Sequence, residues 1–349
     1  SELASIFKTN GGQYYYVKET MNDELALISG YTMIITQILS LTAITFAISN
    51  YASSIVKIPK FLFSTIILVF LAFVNYCGIR NSMMYNHFCT FFEIVVLLLL
   101  ILFGFKNISP SMFNVTEIKK PEIINIIFSA AILSFAFVGF EVTTELTEET
   151  INAEKNIPLA LMSGVAISAL LYFLIIITSI SNIGWKKLST SSAPLADVAN
   201  KILGGIGHKL VFIIAILSMS NNILIGHVST TRTIQAMARE IKMPFNLSEI
   251  DKTSNTPVNA IIFVTLISLF GLCMGNLENS VIITNITTLI LFLFVNISVL
   301  LLRIQKPNIE RKFKIPFSVN NIPLPTIVGI LSSITMLILL IMKPSLLKK

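Results

Sequence analysis

Long apolar runs alternate with short polar segments along the whole chain. Nine runs, at roughly 25–52, 61–78, 87–105, 122–144, 158–183, 208–231, 258–275, 279–302 and 322–342, match a bilayer in length, since a helix needs about 17–25 residues to cross one. Only helices and closed barrels satisfy their own backbone groups in lipid. The pattern therefore predicts an all-α polytopic membrane protein with nine full spans, in a single transmembrane domain over 1–349. The opening "SELASIF" reads as the end of another span, so the chain reads as cut at its start.

The polar segments add local detail. Residues 8–23, with three consecutive tyrosines, suit an interfacial segment whose rings sit at headgroup depth. Within 184–207 a short helix is predicted, with Ser192 as cap, Pro194 at its start and Gly204 at its end. If the loops alternate sides, 13 basic residues fall on the side holding 1–23, 79–86, 145–158, 232–257 and 303–321, and 12 on the other. That total decides nothing, but Arg80, Arg232, Arg239, Arg303 and Arg311 all fall on the first side, which is read as cytoplasmic.

Composition agrees with the pattern: 54% of residues are hydrophobic and 12% charged. The net charge of +7 fits basic anchors beside lipid headgroups and carries no argument for nucleic acid. Cys77, Cys89 and Cys273 lack metal-binding or CxxC spacing and read as small packers. His227 falls within a span and reads as a hydrogen-bonded packing residue or a proton relay. No nucleophile, base or metal constellation is present in the sequence, so no enzyme, metal or cofactor is expected.

Two acids interrupt the apolar runs. A charge at bilayer depth costs about 3 kcal/mol on insertion scales, and each Leu, Ile or Phe returns about 0.3–0.6. The run "IVVLLLLILF" therefore carries Glu93 into the membrane, where it reads as a structural acid or a coupling group facing the bundle interior. Glu141 stands two residues after Gly139, which weakens a helix by about 1 kcal/mol relative to Ala, and is followed by Thr143 and Thr144. A Gly-interrupted span with polar residues is the signature of a discontinuous transporter helix. A kinked helix packing its small residue against a neighbour gives the same pattern.

The segment "GFEVTTELTEETINAEKNIP" resembles the amino acid–polyamine–organocation transporters, in which a Gly-Phe-Glu or Gly-Phe-Asp break is followed by an acidic pair and Ile-Pro. "SELASIFKTNGGQYYYVKE", "NYCGIRNSMMYNHFCTFFEIVVLLLLILFG", "TTRTIQAMAREIKMP" and "FVNISVLLLRIQKPNIERKFKIP" are similar to further family segments in the same order. The chain departs from the family pattern at Thr231, Gln235 and Glu240-Ile241, and lacks the middle proline before Ile157-Pro158.

That resemblance implies a five-plus-five inverted-repeat fold. The nine runs become the family's third to eleventh spans, 122–302 the second repeat, and the first span is missing. It also implies a secondary active transporter moving amino acids or polyamines by alternating access, coupled to protons or sodium. Its substrate site would be Phe135, Ala136, Gly139, Phe140 and Glu141, with Phe135 closing over substrate. Phe137 and Phe140 also read as packing, and Glu93 and Glu141 as coupling acids. Glu145, Glu148 and Glu149 read as a solvated face, available to cytoplasmic arginines. The expected location is multi-pass in a membrane, with the plasma membrane favoured. A non-transporting amino acid sensor or partner subunit with the same fold is the alternative.

Overall fold

The computed structural model describes residues 1–52, 58–108, 126, 129–130, 133–191, 193–274 and 277–342. The described residues form eleven α-helices and one two-stranded hairpin. They are α1 (Gly12–Thr20), α2 (Asp23–Ala52), α3 (Lys60–Tyr76), α4 (Ile79–Gly104), α5 (Ala153–Ile183), α6 (Trp185–Thr190), α7 (Pro194–Leu203), α8 (Gly205–Glu240), α9 (Val258–Met274), α10 (Leu277–Gln305) and α11 (Leu324–Met342). Among the described residues, six helices are long and apolar enough to cross a membrane: those within α2, α4, α5, α8, α10 and α11. The apolar helices α3 and α9 are shorter. Residues 122–125, 127–128 and 131–132 of the predicted run 122–144 lie outside the described residues, and from Ser134 onward the run is 3-10 helix and turn rather than α-helix.

The centre of the bundle is α2 against α8, with α10 on the same helix and α3 and α9 closing the flank. Leu41 and Ile48 of α2 meet Leu68 and Leu71 of α3 and Ile223, Leu224 and Val228 of α8 in one buried cluster. Polar pairs stitch the same helices, as small hydroxyl and amide groups do where lipid gives helices no hydrophobic reason to associate. Tyr85 meets Ser220 at 2.7 Å and Asn86 donates to Asn221 at 3.0 Å, both joining α4 to α8. His227 of α8 bridges Asn75 of α3 at 2.9 Å and Thr265 of α9 at 3.0 Å, which places it in a hydrogen-bonded packing role.

Three expectations meet the structure at the edges. The tyrosine segment forms α1, and Tyr14 and Tyr16 are buried by the protein itself rather than spread at its rim. Helix α7 starts with Pro194 in its first turn and ends at Gly204 as predicted, whereas Ser192 is outside the described residues. Cys89 is buried, but Cys77 and Cys273 are exposed.

An ionic cluster ties the chain's first residues to its last third. Arg303, at the end of α10, grips Glu2 bidentately at 2.9 and 2.6 Å, and both side chains are 1% exposed. Arg311 donates to the same carboxylate at 3.1 Å, and the Ile315 backbone N–H donates to it at 2.9 Å. Burial opposes the charge on Glu2, and the two arginines and the backbone N–H offset that cost by satisfying both carboxylate oxygens. Arg303 also donates to Ser318 and to the Asn321 carbonyl, which fixes the hairpin Ser318–Val319 and Ile322–Pro323 against α10.

Candidate functional site

The site is built on a helix that stops. Ser134–Phe137 is a turn of 3-10 helix, Val138 and Gly139 are a turn, and Phe140–Leu146 is 3-10 helix again. Gly139 has φ of 115°, a backbone that an L side chain resists, so this turn requires glycine after Val138. A Cβ there would meet nothing within 4 Å, so space does not explain the glycine; the backbone angle does.

Side chains satisfy the break. The Gly139 N–H donates to Glu141 Oε2 at 2.8 Å, so Glu141 caps the turn two residues before it. The Tyr172 hydroxyl of α5 donates to the Ala136 carbonyl at 2.9 Å, supplying a bond that continuous helix would have made. Phe137 packs edge-on against the Tyr172 ring at 5.3 Å, and Phe140 lies on Phe292 of α10 at 5.9 Å. Both aromatics thus pack, while Phe140 remains partly open. The Phe135 side chain is outside the described residues.

A cavity of about 430 Å³ opens against the break and is lined by Ala136, Val138, Gly139, Glu141 and Val142. Across from them α2 presents Thr36, Gln37 and Ser40, α8 presents Asn222, and α10 presents Thr284 and Thr288. Thr284 Oγ1 is buried there without a hydrogen-bond partner. Two smaller cavities, of about 250 and 330 Å³, reach the break from the Tyr172 side and from the Tyr16 side, and Phe140 lines both. Of the residues singled out from the sequence, Ala136, Gly139 and Glu141 come together at the main cavity.

Glu93 does not join them. It lies on α4 and accepts a hydrogen bond from Ser218 of α8 at 2.9 Å, in the polar seam formed by the Tyr85 and Asn86 pairs. The α2, α8 and α10 polar residues were missed in the sequence, although their spacing held a signal. Gln37 and Ser40 are three apart and Thr284 and Thr288 four apart, each pair on one helix face inside an apolar run.

The acids after the break divide. Glu148 pairs with Arg239 at 2.9 Å and Glu149 with Arg232, while Asn10 bonds the Glu148 side chain and backbone. Those two meet arginines as expected. Glu145 does not lie on a solvated face: it is 0% exposed, because the 3-10 segment turns it inward between α1 and α8. Among the described residues, no three His, Cys, Asp or Glu side chains group as a metal site.

A break at a positive-φ glycine thus faces a cavity in which Thr, Gln, Ser, Asn and Glu side chains stand among apolar ones inside an apolar bundle. A model described as amino acid permease matches residues 1–348. The chain belongs to the amino acid permease family. The permease is 24% identical over 338 residues to the branched-chain amino acid permease BcaP of Bacillus subtilis, covering 90% of this chain and 72% of that protein. It is 24% identical over 340 residues to the methylthioribose transporter of Bacillus subtilis, with 91% and 72% covered. It is 26% identical over 333 residues to human cationic amino acid transporter 4, covering 88% of this chain and 52% of that protein. The permease thus spans nearly three quarters of the two bacterial relatives and about half of the human one. It is an integral multi-pass membrane protein and a transporter rather than an enzyme.

Proposed function

We propose that the permease is a secondary active transporter that binds an amino acid at the Gly139 break and carries it by alternating access. The observation that carries this reading is the positive-φ glycine, with its Glu141 cap, facing a largely apolar cavity that carries a few polar side chains. The cavity volume falls within the roughly 300–1,000 Å³ of small-molecule sites. Glu141 is the one acidic side chain on its described lining, which suits a single ammonium and so a zwitterion better than a polyamine. Gln37, Ser40 and Asn222 bring hydrogen-bond donors for the carboxylate, and the unpartnered Thr284 hydroxyl suits a polar group on substrate or its water. Phe135 closes the site over substrate, and Phe140, packed on Phe292, borders the two neighbouring cavities.

In this reading the nine apolar runs are the third to eleventh spans of a five-plus-five inverted repeat, with 122–302 as its second repeat. Protons or sodium drive it, with Glu93 and Glu141 as coupling acids, and it works in the plasma membrane. The test is equilibrium binding on the purified protein with a panel of amino acids and putrescine, followed by uptake into proteoliposomes. Saturable binding of one or more amino acids, weakened by Gly139→Val, is expected. Preference for putrescine, or equal binding by Gly139→Val, would overturn the assignment.

A further inference from the structure

Glu145 is a buried acid that the transport site does not use. It stands one residue beyond the predicted span 122–144, at a junction of the post-break segment with α1 and α8. Its Oε2 accepts from Thr233 Oγ1 of α8 at 2.9 Å. The Gly11 backbone N–H, just ahead of α1, also bonds to the carboxyl. A Cβ on Gly12 would fall 2.2 Å from Oε1, so the carboxyl occupies the place of an absent side chain.

The remaining contact, with Thr144, bears on the protonation state. Thr144 Oγ1 lies 2.8 Å from the Glu141 carbonyl and 3.3 Å from Glu145 Oε1. A hydroxyl has one proton. The carbonyl can only accept, so at the shorter distance it takes the threonine's proton. The longer contact then has a proton only if Glu145 supplies it.

Surrounding charges do not offset an anion here. On its own segment the neighbouring acid is Glu141, and on α1 the facing group is the buried phenol of Tyr16. On α8, Arg232 is committed to Glu149 and Arg239 to Glu148, while at the start of α5 Glu154 is paired with Lys8. None of the described ion pairs includes Glu145.

We propose that Glu145 holds a proton while the junction of α1, α8 and the post-break segment is closed, and that losing this proton loosens the junction. In that step the Oε1–H bond breaks, the proton passes to water, and the carboxylate loses its bond to Thr144. Burial pushes the Glu145 carboxyl up to about 8 despite the donors around it, which places the change above the ordinary carboxylate range. With the pKa raised on closure, the closed junction is fully supported below the ordinary carboxylate range and weakens progressively as pH rises from there through about 8.

The test needs no transported substrate, so its outcome is separable from that of the proposed function. Infrared pH-difference spectra of the reconstituted chain should show the C=O band of a protonated carboxyl bleaching between about pH 7 and pH 9. Glu145→Gln, whose amide can donate to Thr144 and accept from Thr233, should lack the band. It should also abolish the excess hydrogen exchange of residues 10–20 at alkaline pH, after correction for intrinsic rate, which is expected to reach about tenfold in the unaltered protein. Thr144→Val supplies a second arm. It removes the acceptor of the carboxyl proton, so the bleaching midpoint should fall by about one pH unit. A rise in that midpoint would mean that Thr144 donates to a carboxylate and would overturn the proposal. The same band in Glu145→Gln, or the same alkaline exchange step, would also overturn it.

Discussion

Replacing Gly139 by valine puts the largest demand on the fewest atoms. At φ of 115° the backbone is outside the region where an L residue sits comfortably, and a Cβ there finds nothing within 4 Å. The substitution therefore overpacks nothing. Its cost is torsional, roughly 1–3 kcal/mol for a residue held in such a region, with a β-branched side chain at the upper end. The chain can avoid that cost only by changing the turn, which moves the N–H that Glu141 accepts and the wall of the cavity. At about 1.4 kcal/mol per tenfold, the affinity for substrate should fall by about 5- to 150-fold. The assay is equilibrium binding of radiolabelled amino acid, with thermal unfolding measured on the same preparation. Gly205→Val is the control, because its Cβ also meets open space but the residue has no positive φ. A Gly139→Val protein with unaltered Kd and unaltered Tm would show that the break does not shape the site.

The buried pair of Glu2 and Arg303 gives a stability prediction: Glu2→Gln leaves Arg303 without its charge partner and should cost about 3–5 kcal/mol, read as a lowered Tm. Tyr172→Phe removes the donor to the Ala136 carbonyl, and the loss of about 0.5–1.5 kcal/mol should weaken substrate binding by about 2- to 12-fold while sparing the ring contact with Phe137. Single cysteines at Ser189 and Asn308, in a background with Cys77 and Cys273 replaced by serine, should label from opposite faces with an impermeant reagent; labelling from one face would refute the alternation of loops.

The parts of the molecule legible in the sequence were those that hydrophobic spacing or backbone chemistry dictates locally. Apolar length placed α2, α4, α5, α8, α10 and α11. Pro194 and Gly204 bounded α7 because proline lacks an N–H and glycine tolerates φ of 67°. Gly139 announced the break for the same reason. What remained hidden depends on partners distant in sequence. Glu145 looked like its neighbours Glu148 and Glu149, but the inward-turning 3-10 helix sends it to Thr233, 88 residues away. Tyr14 and Tyr16 carried the composition of a membrane rim, yet α1 packs between α2 and α10 and buries them. Tyr172 gave no local sign that its hydroxyl would cap a carbonyl 36 residues earlier.

The grip of Arg303 on Glu2 also orders events during synthesis. Their separation of 301 residues means that Glu2 leaves the ribosome long before its partner. At about 5–20 residues per second, the delay is roughly 15–60 s. For that interval the carboxylate has no buried cation to meet, so it must stay hydrated and the first residues cannot settle into their final pocket. Insertion can proceed helix by helix, but the segment before α1 locks only once α10 has been delivered and its arginine end has emerged. A ribosome stalled before residue 303 would therefore display a nascent chain in which residues 1–7 remain open to protease and to chaperone.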